Sequence, residues 1–528
     1  MTLKKKILLA FVAIPLTGYA HMILPTNKSI LEHCHYTEVL TLNTINEKVN
    51  PKDLNIDKQD VSKLFKELSQ VIDQYAQSTL KKGNINSLAI TIYRDGETYQ
   101  QYYGELDKQG KQKASDNTLF EIASISKTFV GSLAAKAVLE QKIKLEDDVR
   151  VYLKDEYSNL QFKGTPITIK DLLTHTLGLK NKAPKELEQV YQKVREGYYE
   201  NRAFDYAMTD LLEELKTVEL DKKPGTVYEY NSVGPELMAY ILEQVYHKSY
   251  KELLQYFLSE TDLQHTYLYE YERYKSQLAI SFDENNNIAP LLKNPLLGGS
   301  HGMISTLPDL TKFMQFQLES NNPLIKESTR LLFKDLQDGD DKGYLWDVGY
   351  GQKEGAYYGK TGTSNGVQSG ILICPDSKYG MILIMNNNSE EAQNDWSHLY
   401  NKIETELIMY PKINLVSLLT KDFLSDFKLA AVKYKELKLD ETHYLSGSFY
   451  LNNLGYELIN SNQIDRAIEI FELAISEDQN NANLYDSLGE AYFLSNNKKK
   501  ALLNYQKSLE LDPKNKNAKA VLEKNKKL

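Results

Sequence analysis

A serine followed three residues later by a lysine can supply a nucleophile and the group that takes its proton. On a helix, side chains three apart meet on one face. The lysine accepts a proton only if its pKa falls far below the ordinary value of about 10.4. Burial and a second nearby cation can both lower it. A serine at a helix N-terminus also gains the positive end of the dipole. The chemistry therefore demands a helix start, an apolar surround and another positive group from elsewhere in the chain. The spacing occurs four times, at Ser78/Lys81, Ser124/Lys127, Ser425/Lys428 and Ser495/Lys498.

Ser124 meets the first two demands. It follows the apolar run "LFEIA" and precedes "TFVGSLAAKAVLEQ", a helix with small residues on one side. Ser78/Lys81 lies at the polar end of a helix, and the other two pairs fall in the C-terminal helical region, so none of these three reads as enclosed. The third demand points to "YYGKTGTSNGVQSGILIC", where Lys360-Thr361-Gly362 precedes a strand from Val367 to Cys374. A cation, a hydroxyl and a glycine that permits close backbone approach suit an edge strand that binds an acyl substrate and its carboxylate.

These residues need a framework. Asp60 to Lys82 has helical spacing, with Val61, Leu64, Phe65, Leu68, Val71 and Ile72 on one face. Ser87 to Gly104 reads as two strands around an Asp95-Gly96 turn. A long helical stretch runs from about Ser126 to Ser259. A second hairpin follows at "GVQSGILICPDSKYGMILIMNN", then a closing helix from Asp395 to Ile408. Hairpins at both ends with helices between predict a mixed α/β unit over 60–410, its sheet assembled from strands far apart in sequence.

From Tyr444 the character changes. "LNNLGYELINSNQIDRAIEIFELAISEDQNN" and "YDSLGEAYFLSNNKKKALLNYQKSLELDPKN" superimpose with a period of 34. Gly455 pairs with Gly489, Ala467 with Ala501, Phe471 with Tyr505 and Asp478 with Asp512. This resembles the tetratricopeptide repeat, whose small residues let paired helices pack closely. The resemblance implies an all-α region over 444–528 that docks a protein partner. Two repeats are few for a free-standing solenoid, so the helical linker 411–443 is expected to pack beneath them.

A formal charge of -9 argues against a nucleic-acid partner. Lys4, Lys5 and Lys6 followed by the apolar run Ile7 to Ala20 read as an export signal over 1–24, either cleaved or retained as a membrane anchor. The two cysteines, Cys34 and Cys374, form no disulfide framework. The nine histidines do not cluster with carboxylates at metal-ligand spacing, and no phosphate loop is present, so no cofactor is expected.

The chain from about 60 to 410 resembles the serine β-lactamase and penicillin-binding-protein superfamily, in particular its class C β-lactamase and esterase branch. The segments that carry the likeness are "NTLFEIASISKTFVGSL", "ITIKDLLTHTLGL", "YEYNSVGPELMAYILE", "GGSHGMISTLPDLTKFMQF" and "YYGKTGTSNG", in the family's order. The resemblance implies an α/β (α+β) β-lactamase-like fold, an antiparallel sheet flanked by helices with a helical subdomain, followed here by the repeats. It makes Ser124 the acylated nucleophile, Lys127 its proton acceptor and Tyr230 the group that relays the proton to the leaving group. It assigns the oxyanion hole to the backbone N–H groups of Ser124 and Thr363. Lys360, Thr361, Gly362, Thr363 and Ser232 are the expected substrate-binding residues.

Ser232 departs from the pattern. The family commonly has Tyr-x-Asn where this chain has Tyr230-Asn231-Ser232, and a serine hydroxyl replaces an amide that both donates and accepts. That shifts the expectation from a β-lactam toward an ester or a D-amino-acid peptide. Ser115-Asp116-Asn117 spells the class A second motif but precedes Ser124, so it reads as a turn. His175 is expected to be structural; His301, in the loop "GGSHGM", is a candidate for the cleft lining, with a structural role the leading alternative. Two functions follow: an exported serine hydrolase working through an acyl-enzyme, or a hydrolase fold without turnover that serves as a binding scaffold. The four intact groups Ser124, Lys127, Tyr230 and Lys360 favour the enzyme.

Overall fold

A computed structural model describes residues 58–107, 112–195, 206–289, 298–319, 321–336 and 340–525. The N-terminal segment, with the expected export signal, Cys34, His33 and His35, lies outside them.

Helix α1 (Lys58–Lys81) enters strand β1 (Ser87–Arg94), which turns into β2 (Glu97–Gly104). Arg94 pairs with Glu97, so the turn is the two residues Asp95 and Gly96, both at positive φ (50° and 96°). That conformation matches the twist of the flanking strands and suits Asp-Gly. The chain then makes the short strand β3 (Leu119–Glu121) and helix α2 (Ser126–Leu139). The helical side continues with α3 (Ile169–Thr174) and α4 (Val233–Tyr246), and the short strand β5 (Met303–Thr306) pairs with β4 (Thr266–Leu268) on one side and β3 on the other. Helix α5 (Leu307–Gln317) follows, then strands β6 (Asp341–Lys342), β7 (Asp347–Gly351), β8 (Gly355–Ser364), β9 (Val367–Cys374) and β10 (Tyr379–Met385). Helix α6 (Glu390–Met409) closes the unit.

The sheet order is β2-β1-β10-β9-β8-β7-β6, so β1 joins the C-terminal strands across nearly 300 residues of chain, its Leu88 opposite Met385. Alternation along the strands builds two cores. Ala89, Ile371, Ile373, Ile382 and Ile384 face α2, α4 and α5. Leu88, Ile90, Leu372, Met381 and Leu383 face α1 and α6, with Trp396 and Ile403 on the latter. Both faces of the central strands are covered, which is why they read as continuous apolar runs.

The second core does not stop at α6. It continues through Val416 and Leu419 of α7 (Leu415–Ser425) and Tyr434 of α8 (Phe427–Leu437) into Leu451, Leu454, Phe471 and Leu488 of the repeats. The repeat helices are α9 (Ser448–Asn460), α10 (Ile464–Glu477), α11 (Ala482–Leu494) and α12 (Lys498–Leu511), followed by α13 (Lys516–Asn525). A methyl on Gly455 would meet the Phe471 ring at 2.3 Å, so the paired helices approach as closely as the small residues suggested. The 411–443 region is more than a linker. Tyr75 of α1 donates to Glu406 of α6 (2.6 Å) and shares a hydrogen bond with Ser417 of α7 (2.7 Å), and Lys402 pairs with Glu457 of α9 at 2.5 Å. The repeats thus sit on the sheet face opposite α2.

Candidate active site

Ser124 lies in a single 3-10 turn, Ala123–Ile125, that runs straight into α2. From Thr118 to Ala135 every residue is buried except Ser124. Its exposure follows from the backbone: Ala123 takes a left-handed φ of 47°, a conformation that costs an L-residue about 1 kcal/mol and throws the next side chain outward from the apolar run. Lys127, on the first turn of α2 and 2% exposed, donates to Ser124 Oγ at 3.0 Å and to the Ser300 carbonyl at 2.6 Å. The remaining serine–lysine pairs do not meet: Ser425 and Ser495 donate to backbone carbonyls of their own helices, Asp422 and Tyr492, and Ser78 is exposed.

Tyr230 reaches the same serine. Its hydroxyl donates to Ser124 Oγ at 2.7 Å, and the Lys127 and Lys360 ammoniums stand 5.1 Å and 5.3 Å from its ring centre. Burial pushes the phenol up, but the two cations and the bonds to Lys127 and Ser124 outweigh it and hold it below its ordinary value. Lys360 is 5% exposed and pairs with Asp347 of β7 at 3.3 Å, which also holds Lys342 of β6 at 3.0 Å. Burial raises the Asp347 carboxyl, yet Lys360 and Lys342 bring it down to about 2. Burial opposes the charge on Lys360, and Asp347 and Tyr230 raise its pKa despite that.

The Lys-Thr-Gly segment is inside a strand, with an edge where the chemistry lies. Strand β8 pairs with β7 only as far as Gly359 opposite Asp347, while its pairing with β9 runs on to Ser364. Residues 360–364 therefore have one side open, and that side abuts Ser124. A methyl on Gly362 would stand 2.7 Å from Ser124 N, 2.7 Å from Ile122 O and 2.8 Å from Ser369 Oγ. Only glycine permits this approach. Thr361 is half-buried and Thr363 exposed, its hydroxyl bonded to Gln368 at 2.5 Å.

Among the described residues, three more that the sequence motifs did not single out border the site. Ser300 supplies the carbonyl that fixes Lys127, and Glu236, fully buried on α4, accepts from Gly299 N (3.0 Å), Ser300 N (3.1 Å) and Ser300 Oγ (2.5 Å). Asp347 is the third. Nothing but a buried carboxylate in an apolar helix, "GPELMAY", could have flagged Glu236, and Asp347 carries no local signal at all. His301, half-buried, shares a 2.7 Å hydrogen bond with Ser300 Oγ, and burial together with Lys127 holds its pKa at about 3.

The β-lactamase family model matches residues 68–401, well over half of the chain. The chain belongs to the β-lactamase family. Two tetratricopeptide-repeat models match 450–481 and 482–515. Among curated relatives, Protein flp of Staphylococcus aureus (strain N315) is 26% identical over 380 residues, covering 70% of this chain and 73% of the relative. A Beta-lactamase of Providencia stuartii is 22% identical over 355 residues, 60% of this chain and 86% of the relative. Solved structures with the same fold include an octameric penicillin-binding protein homologue from Pyrococcus abyssi, with a TM-score of 0.55, 19% identity, and coverage of 63% of this chain and 77% of that one. A β-lactamase/D-alanine carboxypeptidase from Yersinia pestis gives a TM-score of 0.55 at 20% identity, covering 65% and 98%.

Tyr230 is followed by Asn231 and Ser232, which have different surroundings. Asn231 is buried, and its amide bonds to backbone on both sides, accepting from Gly234 N (2.9 Å) and donating to Glu229 O (2.8 Å). It serves the start of α4. Ser232 stands at the helix N-cap without a side-chain capping bond and is half-buried. The position two residues after Tyr230 thus carries a short hydroxyl. Ser115-Asp116-Asn117 forms a turn, Thr118 N bonding Ser115 O at 2.8 Å, with Asp116 accepting from Gln100 and Tyr102 of β2.

Proposed function

We propose that this β-lactamase-family chain is a serine hydrolase that forms an acyl-enzyme at Ser124. One observation carries the reading: Ser124 Oγ, partly exposed in an otherwise buried segment, is hydrogen-bonded at once to Lys127 Nζ and Tyr230 OH. Attack of Oγ on a substrate carbonyl forms the C–O bond as the serine proton passes to the Lys127–Tyr230 pair. The carbonyl oxygen takes the developing negative charge, supported by the N–H groups of Ser124 and Thr363 across the close approach at Gly362. The proton then passes through Tyr230 to the departing amine or alcohol as the C–N or C–O bond breaks. Water, giving its proton to the same pair, releases the acid and restores Ser124.

Lys360, Thr361, Gly362 and Thr363 would hold the substrate along the open side of β8, with Ser232 beside Tyr230. The substrate class is a small ester or a D-amino-acid peptide ahead of a β-lactam, because the amide at the third position of the second motif is replaced by Ser232. The repeats support docking of a protein partner, and the N-terminal run supports export, with the chain working outside the cytoplasm, free or tethered.

The test is the intact mass of the protein after reaction with a small fluorophosphonate, run beside Ser124→Ala. A single adduct that disappears in the variant is expected. A folded protein that takes no adduct would overturn the enzyme and leave the binding scaffold.

A further inference from the structure

His175 sits in "LLTHTLGL", at the C-terminal end of α3, in the left-handed conformation (φ 56°, ψ 39°). It is 2% exposed. Its main chain and its ring grip the segment that carries Tyr230 from both sides. The His175 carbonyl accepts from Glu229 N at 2.9 Å, and its Nδ1 accepts from Asn231 N at 3.4 Å. These are the N–H groups immediately before and after Tyr230. Between the two bonds the imidazole packs against the phenol ring, centroids 4.7 Å apart and tilted 42°, with the Tyr228 ring edge-on at 6.0 Å.

The other ring nitrogen, Nε2, has no hydrogen-bond partner among the described residues. The ring is therefore committed to the Tyr230 segment. The backbone beneath it is fixed independently, by the Thr168–Asp171 capping box at the start of α3 and by Thr176 Oγ1 donating to Asp171 at 3.0 Å. The short helix α3 thus holds the ring against the Tyr228–Asn231 segment.

We infer that His175 is a positioning residue that sets the Tyr230 hydroxyl over Ser124, acting as a neutral imidazole protonated on Nε2. The inference rests on the reading of Tyr230 as the proton carrier and goes beyond it. Nδ1 must be unprotonated to accept from Asn231 N, which fixes the tautomer. The groups that face the ring favour that state. Burial and the Lys360, Lys127 and Lys342 ammoniums all disfavour the imidazolium, and Asp347 alone opposes them. A protonated ring would lose its acceptor and add a positive charge beside these ammoniums.

Two substitutions separate acceptor from ring. His175→Phe keeps an aromatic surface and loses the acceptor; His175→Asn keeps an acceptor near the Nδ1 position, tolerates the left-handed backbone and loses the ring. Both are made in the full chain, alone and with 3-fluorotyrosine at position 230, whose single fluorine resonance reports the setting of that ring. The rate of fluorophosphonate addition is measured per folded molecule, beside Tyr230→Phe. Displacing a catalytic group by an ångström can lower the rate on the order of 100-fold. A loss of that size is expected for His175→Phe, with a smaller loss for His175→Asn, unchanged half-saturating probe concentration, and a shifted or broadened resonance in both. Wild-type rate and an unmoved resonance would overturn the inference. If His175→Phe fails to fold, the same outcome in His175→Asn overturns it. Should Tyr230→Phe react as fast as wild type, the proton-carrier reading fails, and the fluorine resonance still decides whether His175 sets the ring.

Discussion

Lys360 and Asp347 form an ion pair at 3.3 Å across neighbouring strands, and the same carboxylate holds Lys342 at 3.0 Å. Asp347 therefore pairs directly with two cations beside the nucleophile. Its pKa, brought down to about 2 from an ordinary 3.8, makes Asp347 a stabilising group above its unfolded value, with the contribution lost as pH falls from about 4 toward 2. Asp347→Asn is expected to destabilise the chain by about 2 kcal/mol at neutral pH. In thermal melts the gap between the two proteins should be widest above pH 5 and close toward acid. A gap that persists unchanged at low pH would contradict this assignment.

Lys127→Ala removes both the bond to Ser124 and the ammonium beside Tyr230, and acylation should fall by at least about 100-fold. Ser78→Ala, Ser425→Ala and Ser495→Ala should acylate as wild type, since none of those serines meets its lysine. Stopped-flow acylation by an activated ester compares all four. Full activity in the lysine variant would rule out the mechanism.

The pH dependence follows from Tyr230. Its phenol is held below the ordinary value of 10.0, so the proton-accepting phenolate grows in earlier than for a free tyrosine. The acylation rate should rise with pH along a limb whose midpoint lies below 10.0. Lys360→Ala, which removes one of the two cations, should move that midpoint upward, whereas a limb that stays in place would assign it to another group.

Gly362→Ala places a methyl 2.7 Å from Ser124 N and Ile122 O. Backbone rather than a flexible side chain is in the way, so β8 must retreat from Ser124. The expected result is a loss of acylation on the order of 100-fold while the fold, followed by circular dichroism, is retained. Wild-type acylation would show that the close approach is dispensable.

Because Trp396, Leu419 and Leu454 belong to one continuous core, the repeats should unfold together with the sheet. Calorimetry is expected to show one transition. Leu419→Ala, at a site 1% exposed, should lower it as a unit by about 2–5 kcal/mol. Two resolved transitions, only one of them moved by the substitution, would show independent domains.

The residues that could be found from the chain alone are those whose signal is local. Ser124 and Lys127 are three apart on one helix start, Asp95-Gly96 specifies its own turn, and the repeat announces itself by period: α11 begins 34 residues after α9, and α12 the same distance after α10. Lys360-Thr361-Gly362 and Tyr230 became legible through flanking motifs. Asp347, Glu236 and Ser300 stayed hidden because the site groups they hold, Lys360, Ser300 and Lys127, are 13, 64 and 173 residues away. The repeats' attachment was hidden for a related reason, since an apolar face on α7 does not say which core it joins.

Sequence alone thus determined which side chains are present and which elements they ride on, because helix periodicity, turn chemistry and short motifs act between neighbours in the chain. Tertiary structure decided the rest. It chose which of four serine–lysine pairs is enclosed, ended the β7–β8 pairing one residue before Lys360, and carried His175 onto Tyr230. Each of those depends on backbone from distant segments arriving within a few ångströms, and that distance is set by how two cores pack on the two faces of one sheet.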